Sequence, residues 1–560
     1  MGRIVGIDLG TSTSEIGCII DGAAKLIPNT QGKLITPSVV HIGQDGESLV
    51  GEEAAEYLFT RPDCTFMEVK RLTGSDEKLK AHGKEYAPEE IQAMLLRYLV
   101  HCAESQLKEK IDRAVITVPA YFTDVQRRAT AKAGELAGLQ VERIINEPTA
   151  AALDYGLSNL KESKNVLVYD LGGGTLDVTV LELFEGVIDV KASSGNNHLG
   201  GKDFDEIIMA HLADPAGDER ALMRLKKAAE DCKIALSVQD EFTVSLPFLL
   251  TDKAGKPVSV EKTVSRAEFE EWIADKVRST REPMLSALGD ATLSPKDLQV
   301  ILLVGGSTRI PCVKKLVEET LGAVPRSLVD PDLTVARGAA IQAGLLEGSI
   351  NNKDLVLTDV CPYTLGTAPL RHGLFGSRQI FDPIIPRNTT IPTEKAKLYS
   401  PAHDYQTTVI IDVYQGESSD PDNNERLGEL NITGIPAAKS GQEQIEVTFS
   451  YDMNGILQVK ACVVSTGKQV SAEISTTGVK AKPLLDLSTW EQAEGARSFR
   501  PLIRKVDKVI ALGQDIGGDM DLLARRLKEA LLLKNTEQAE ELRDELLDML
   551  EVIDKVDKLR

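Results

Sequence analysis

No two cysteines in this 560-residue chain lie close enough in sequence to form a CxxC unit. The seven stand alone at Cys18, Cys64, Cys102, Cys232, Cys312, Cys361 and Cys462. That spacing excludes a zinc knuckle and a thioredoxin-like redox motif. An odd, scattered set predicts reduced thiols and a cytoplasmic location. Long apolar runs are also missing: none approaches the ~20 residues needed to span a bilayer. The first ten residues, MGRIVGIDLG, run straight into a strand and lack the basic start and apolar core of a secretory signal. Met1-Gly2 would fit a myristoylation signal, but Arg3-Ile4-Val5 reads as the start of a buried strand. Positive charge is in deficit, with 64 Lys and Arg against 85 Asp and Glu and a net charge of −21. A nucleic acid or an anionic membrane would repel such a chain, so neither is expected as a partner. The Walker pattern GxxxxGK[ST] is absent as well.

What is present is the composition of a soluble globular protein, with 42% hydrophobic and 27% charged residues. The length exceeds what one hydrophobic core supports, so three or four units of ~100–200 residues are expected. From residue 1 to about 350, short apolar runs such as VGIDLG, RAVITVP, NVLVYDLGGG and QVILLVGGST stop at glycine or a turn. Helical stretches such as EEIQAMLLRYLVHCAESQLKEK and DVQRRATAKAGELAG lie between them. This mixture predicts α/β layers. After LLEGSINNKDLVLTDV the texture changes. TTVIIDVYQG, LGELNITGI, QIEVTFSYD and ILQVKACVV are β-rich runs separated by DPDNNE, PAAKSG and DMNG turns, which predicts an all-β unit. From about residue 484, leucines recur at three- and four-residue intervals with charges between them, and the chain reads as helix again.

The first unit contains an internal echo. VGIDLGTSTSEIGCII and VLVYDLGGGTLDVTVLEL share one plan about 160 residues apart: strand, Asp, Leu, glycine turn, hydroxyl residue, strand. Two similar half-domains are expected from it. Each loop is a hairpin whose glycines let backbone N–H groups approach phosphate oxygens without a Cβ in the way. Thr11, Ser12, Thr13 and Thr175 add hydroxyl donors, and Asp8 and Asp170 stand at the two mouths. A carboxylate beside a phosphate is repulsive unless a cation sits between them. The pair therefore implies Mg²⁺, held largely through water because that ion dehydrates reluctantly. One DLGT alone fits a hairpin turn with an Asp cap equally well. Two echoing loops plus a third glycine turn, Gly305-Gly306-Ser307 after the strand VILLV, are a far more specific set. The strand-like LDVTVLEL after Gly172-Gly173-Gly174 excludes a dinucleotide fold, which needs a helix there.

Taken in order, IDLGTSTS, VPAYF, INEPTAAALDYG, VYDLGGGTLDVTV, NHLGGKDFD, LVGGSTRIP and DPDLTVARGAAIQAG resemble the signature stretches of the DnaK-type heat-shock protein 70 chaperone family. The linker region LVLTDVCPYTLG and the short length resemble the specialised bacterial HscC-like members. The resemblance implies an actin-like two-lobed nucleotide-binding domain over 1–350, a linker over 351–360, a β-sandwich substrate-binding domain over 361–482 and a truncated helical lid over 483–560. It implies an ATPase using ATP/ADP and Mg²⁺, with K⁺ as a further candidate at Asp8 and Asp177.

Motif by motif, it assigns Gly10, Thr11, Ser12 and Thr13 to one phosphate loop. Asp170, Gly172, Gly173, Gly174 and Thr175 fall at the other, with Gly200 and Gly201 beside it. Lys70 would reach the γ-phosphate and offset developing charge. Glu147 and Asp177 would orient the attacking water, with Thr175 beside them. Without the family match, Glu147 reads equally as a helix-entry carboxylate before Pro148. Glu230, Lys233 and Ser237 would line the adenosine together with Gly305, Gly306, Ser307, Arg309 and Asp330. Pro119, Arg127 and Arg143 would relay nucleotide state to the linker residues Leu355, Leu357 and Asp359, with Arg143 also meeting a J-domain co-chaperone. The linker reads equally as an edge strand of the β unit, and Thr358, replacing an apolar residue, is expected to weaken its docking.

In the β unit the match places Leu370, Tyr399, Ala402, Val409 and Ile411 at a pocket for hydrophobic peptide segments of client proteins, added along a strand edge. Core packing explains Val409 and Ile411 equally well. Residues 371–385 look longer than the usual loop and would alter client choice. Trimmed segments at 73–88 and 209–224 argue against dependence on a GrpE-type exchange factor. The alternative readings, an actin-like-fold kinase or a filament-forming ATPase, have no use for the C-terminal 200 residues.

Overall fold

The computed structural model describes residues 3–157, 163–214, 218–251, 256–327, 330–350, 355–373, 376–473, 487–493, 495–511 and 519–559. The linker start 351–354, the trimmed positions 215–217, the loop tip 374–375 and the expected lid start 483–486 therefore lie outside the described residues. The chain divides into two compact units. The first runs to Pro362 and takes in the short later segments Asn388–Thr393 and Tyr451–Ile456, and the second holds the remainder.

The apolar runs of the first unit form two sheets of one plan. In the first sheet, β1 (Arg3–Leu9) pairs antiparallel with β2 (Thr13–Ile20), which pairs with β3 (Ala23–Leu26). On its other side β1 lies parallel to β4 (Ile111–Val118), and β4 to β5 (Gln140–Asn146). In the second sheet, β6 (Lys164–Leu171) pairs antiparallel with β7 (Leu176–Phe184), and β7 with β8 (Val187–Asn196). Here β6 lies parallel to β9 (Val300–Val304), which pairs with β10 (Arg326–Ser327). The strand order 3-2-1-4-5 of the first sheet is repeated as 8-7-6-9-10 in the second, which is the internal echo made structural. The second sheet continues beyond β8 to β11 (Val356–Leu357), parallel to it. Strands such as β1, β6 and β9 are buried along almost their whole length, as expected of strands covered on both faces.

Helices cover these sheets where the sequence supplies caps. α1 (Pro88–Leu107) starts on a proline and ends where Lys108 turns left-handed at φ 58°. α2 (Asp124–Leu136) opens with the Thr123–Gln126 capping box. α3 (Glu147–Leu157) begins immediately after β5, with Pro148 in its first turn. α4 (Gly201–Leu212) and α5 (Glu219–Leu236) follow β8, the latter capped by the Asp218 carboxylate accepting from the backbone N–H groups of Arg220 and Ala221. α6 (Thr334–Glu347) packs so closely on β1 that a Cβ at Gly6 would fall 2.1 Å from the Ala339 carbonyl carbon.

The second unit starts as β structure. One sheet orders β15 (Asp382–Ile385), β12 (Leu365–Thr367), β17 (Thr408–Gln415) and β18 (Glu425–Thr433). The other orders β16 (Thr393–Tyr399), β19 (Ile445–Tyr451), β20 (Leu457–Val463) and β21 (Lys468–Glu473). Burial alternates along β18, β19 and β20, so each has one buried face. The expected long loop is a hairpin of β13 (Leu370–Gly373) with β14 (Gly376–Gln379). Among the described residues three helices follow, α7 (Ala496–Ala511), α8 (Asp519–Leu532) and α9 (Thr536–Leu559), around a leucine-rich core that also buries Trp490. Among the described residues no helix is long and apolar enough to cross a membrane.

Candidate functional site

The β1–β2 and β6–β7 turns come together. A Cβ on Gly173 would lie 2.4 Å from Ser12 Oγ, and one on Gly174 would lie 3.1 Å from Thr11 Oγ1. Gly200 approaches the same turn so closely that its Cβ would fall 2.4 Å from Gly174 N. The third turn joins them: Ser307 Oγ donates to the Gly172 carbonyl at 2.8 Å, and a Cβ on Gly201 would meet Ser307 Oγ at 2.6 Å. Gly305 sits at φ 80° with its Cβ direction filled by Leu171 O and Asp170 Oδ1. At these positions glycine is required by space and, at Gly305, by backbone conformation. The sequence-predicted residues Gly10 to Thr13, Gly172 to Thr175, Gly200, Gly201 and Gly305 to Ser307 thus form one cradle of backbone around the loop tips.

Carboxylates surround a single buried ammonium at its floor. Lys70 pairs with Glu147 and stands 5.8 Å from the Phe122 ring centroid. Asp8 accepts from Thr117 Oγ1 at 2.7 Å. Asp177 pairs in register with Asp170 and accepts at Oδ1 from Tyr121 N at 3.1 Å, while its Oδ2 is buried without a partner. Burial first, and the neighbouring Glu147 charge second, push the carboxyls of Asp8 and Asp177 up to about 7. The same causes hold Asp170 well above the usual carboxylate range. This surplus of desolvated negative charge, with an orphaned oxygen among it, fits a site that takes a cation together with phosphate. Among the described residues no three His, Cys, Asp or Glu side chains are placed to hold a metal ion directly.

On one side of the cradle lies a cavity of about 280 Å³ lined by Thr13, Val39, Phe59, Met67, Met209 and Glu230, among others. Glu230 accepts from Lys202 at 2.9 Å, and Lys233 bonds both the Gly201 carbonyl and Asp205. Ser237 donates to the Lys233 carbonyl, so it sits one turn further along α5. Arg309 is held by Asp332 at 2.7 Å and faces Asp330 at 3.6 Å.

From this floor a continuous set of contacts runs to the linker. The Pro119–Phe122 turn presents Tyr121 N to Asp177 and the Ala120 carbonyl to Arg127 Nη2, at 2.9 Å. Arg127 Nη2 also donates to Asn146 Oδ1, and Asn146 and Thr149 donate to the buried Asp359. Arg143 is buried beside it, and its charge favours the Asp359 carboxylate. Leu355 and Leu357 pack against the core that holds Leu181, Leu183 and Ile188. Thr358, expected to weaken this hold, donates its hydroxyl to Asp189 Oδ1 at 2.5 Å and its N–H to the Ile188 carbonyl at 3.0 Å. A polar partner was waiting where the sequence alone suggested lost apolar contact.

In the second unit Val409 and Ile411 lie on β17, Val409 half-buried and Ile411 buried. Tyr399 ends β16 with its hydroxyl donating to Asp382 at 2.7 Å, Leu370 opens β13, and Ala402 follows in the loop after β16. Sequence reasoning passed over Glu15, Asn146, Thr149, Lys202 and Asp205. Asn146, Thr149, Lys202 and Asp205 stand in the quoted stretches INEPTAAALDYG and NHLGGKDFD, while Glu15 is an acid inside the strand TSEIGCII.

The Hsp70 protein family model matches residues 4–494. The chain is 47% identical over 484 residues to the chaperone protein DnaK of Thermotoga petrophila, spanning 84% of this chain and 80% of that one. The same figures hold for the DnaK proteins of Thermotoga maritima and Thermotoga neapolitana. These matches carry the assignment: the chain belongs to the Hsp70 family, as an ATP-hydrolysing, DnaK-type chaperone.

Proposed function

We propose that ATP binds in the glycine cradle and that its hydrolysis tightens the grip of the β-rich unit on extended hydrophobic peptide. In this reading residues 1–350 are an actin-like two-lobed nucleotide-binding domain, 351–360 the linker, 361–482 the peptide sandwich and 483–560 a short lid. The observation that carries it is the path from Asp177 through Tyr121, Ala120, Arg127 and Asn146 to Asp359, which ties the acidic floor to the linker.

Lys70 neutralises charge on the transferred phosphoryl group, and its pairing with Glu147 holds both in place. Glu147 and Asp177 orient the attacking water, for which the unpartnered Asp177 Oδ2 is a ready acceptor. Thr175 offers its hydroxyl at the loop tip. Asp8 and Asp170 would hold Mg²⁺ through its water, and the ion would supply charge neutralisation for the phosphates. K⁺ near Asp8 and Asp177 adds to the same balance. Glu230, Lys233, Ser237, Gly306, Ser307, Arg309 and Asp330 line the adenosine.

Peptide adds along a strand edge with one apolar side chain against Val409 and Ile411, beneath Leu370 and Ala402. A J-domain co-chaperone meets Arg143 and the linker. The trimmed segments argue that exchange needs no GrpE-type factor, in a client-restricted, cytoplasmic member. Steady-state ATP turnover tests the reading. A Leu-rich peptide is expected to stimulate it several-fold, and turnover indifferent to saturating peptide sinks the coupling.

A further inference from the structure

Asn197, in the loop between β8 and α4, ties the acidic floor to the glycine cradle. Its Nδ2 donates to the Tyr121 carbonyl at 2.6 Å, while the N–H of the same Tyr121 donates to Asp177 Oδ1 at 3.1 Å. One residue of backbone is thus held at both ends, by an amide on one side and by the acid of the floor on the other. Just after Asn197 the chain is fastened to the cradle: Gly201 N donates to the Gly172 carbonyl at 3.0 Å and Lys202 N to the Gly173 carbonyl at 2.8 Å. Just before it, Gly195 pairs in register with Asp177, and a Cβ there would fall 2.4 Å from Leu176 O and 3.2 Å from Asp177 Oδ1. Arg127 grips the same Pro119–Phe122 turn at the carbonyls of Ala120 and Phe122. The turn is therefore held by Arg127 from the relay side and by Asn197 from the cradle side. Packing does not explain the amide. Asn197 Oδ1 is buried without a hydrogen-bond partner, so the bond to Tyr121 is what orients the side chain. An apolar residue would fill the space without burying an open acceptor.

We propose that Asn197 is a positioning residue for ATP hydrolysis, holding Tyr121 so that its N–H keeps the Asp177 carboxylate aimed at the attacking water. The bond from Tyr121 fixes Oδ1 and leaves the unpartnered Oδ2 to accept from that water. Without the hold on its carbonyl, the Tyr121 peptide can swing and the carboxylate can turn with it. A misplacement of about 1 Å can cost about a hundredfold in rate. Because the segment is bonded to Gly172 and Gly173, the aim of Asp177 also depends on the turn that cradles phosphate. The inference rests on Asp177 orienting the water, and the test separates the two.

Single-turnover hydrolysis is followed on the preformed complex of the full-length chain with ATP and Mg²⁺, and ATP affinity is measured separately by equilibrium titration. Asn197→Leu keeps the size and removes the donor. It is expected to slow hydrolysis about ten- to a hundredfold while ATP affinity stays within about twofold of wild type. Asn197→Ala provides a second variant should the first fail to fold. In an Asp177→Ala background the same substitution is expected to cost little more, because residues that act as one unit are not additive. Hydrolysis at the wild-type rate in the Asn197 variants would overturn the proposal. So would an undiminished further loss in the Asp177→Ala background, which would make Asn197 a loop anchor acting apart from Asp177. If Asp177→Ala by itself hydrolyses ATP at the wild-type rate, the water-orienting reading of Asp177 fails and takes the proposal with it.

Discussion

Asn146 donates its side-chain amide to Asp359 Oδ1 at 2.9 Å, and through this one bond the strand that leads into Glu147 holds the linker. Its Oδ1 meanwhile accepts from Arg127, so a single amide joins the relay arginine to the linker aspartate. Coupling between distant sites is typically about 1–3 kcal/mol, or roughly 5- to 150-fold in affinity. Asn146→Ala should therefore shrink the ATP-to-ADP ratio of peptide release rates by a factor in that range. A ratio equal to wild type removes Asn146 from the relay.

Lys70→Ala and Thr175→Ala address the chemistry. Removing a charge-stabilising donor typically costs about 10²–10³ in turnover. Single-turnover hydrolysis should fall by that order for Lys70→Ala, with ADP affinity changed much less. A variant that hydrolyses ATP at the wild-type rate takes its residue out of the catalytic role.

Gly200→Ala tests the cradle. The added Cβ would lie 2.4 Å from Gly174 N and 2.6 Å from Gly173 C, backbone atoms that cannot step aside cheaply. Overpacking of this kind costs about 1–3 kcal/mol. Nucleotide affinity or the melting temperature of the first unit should drop accordingly. Gly289→Ala, in the helix Arg281–Asp290 where the Cβ meets nothing within 4 Å, should instead be neutral or stabilise by up to about 1 kcal/mol. Calorimetric melting distinguishes the pair.

Glu529 should make the helices of the second unit pH-sensitive. It is buried on α8 and accepts from Ser418 Oγ at 2.6 Å and from Ser419 N at 3.1 Å, while Arg526 bonds Asp420 at 2.7 Å. Burial raises its carboxyl above the ordinary value, and the donors offset this only in part. A raised carboxyl means that the docked state holds its proton more tightly than the undocked one. The stabilisation is complete below the ordinary carboxyl range near 4.5 and is lost as pH rises through the raised value. Hydrogen exchange of α8 should therefore be slower near pH 5 than near pH 8, once corrected for intrinsic rates. That difference should vanish in Glu529→Gln. The same pH slope in the variant would contradict the assignment.

Much of this was legible in the sequence because the signals were local. The strands around Asp8 and Asp170 are apolar runs ending at glycine, and their shared plan pointed to two similar half-domains, which take the form of two sheets with one strand order. The glycines at 172 to 174 could be read as a phosphate turn because a strand, not a helix, follows them. What stayed hidden depends on contacts between distant segments. Nothing near Thr358 in the sequence says that Asp189, on another strand, will accept its hydroxyl. Asn146 is a strand-end polar residue until Arg127 and Asp359 are brought to its two sides.

The central claim is that nucleotide controls the grip on peptide. Its most direct test is the release rate of a fluorescent Leu-rich peptide from the full-length chain, measured with saturating ATP and with saturating ADP. Release is expected to be faster by at least about tenfold with ATP, a difference of about 1.4 kcal/mol or more in the barrier to release. Equal release rates in the two nucleotides would contradict it.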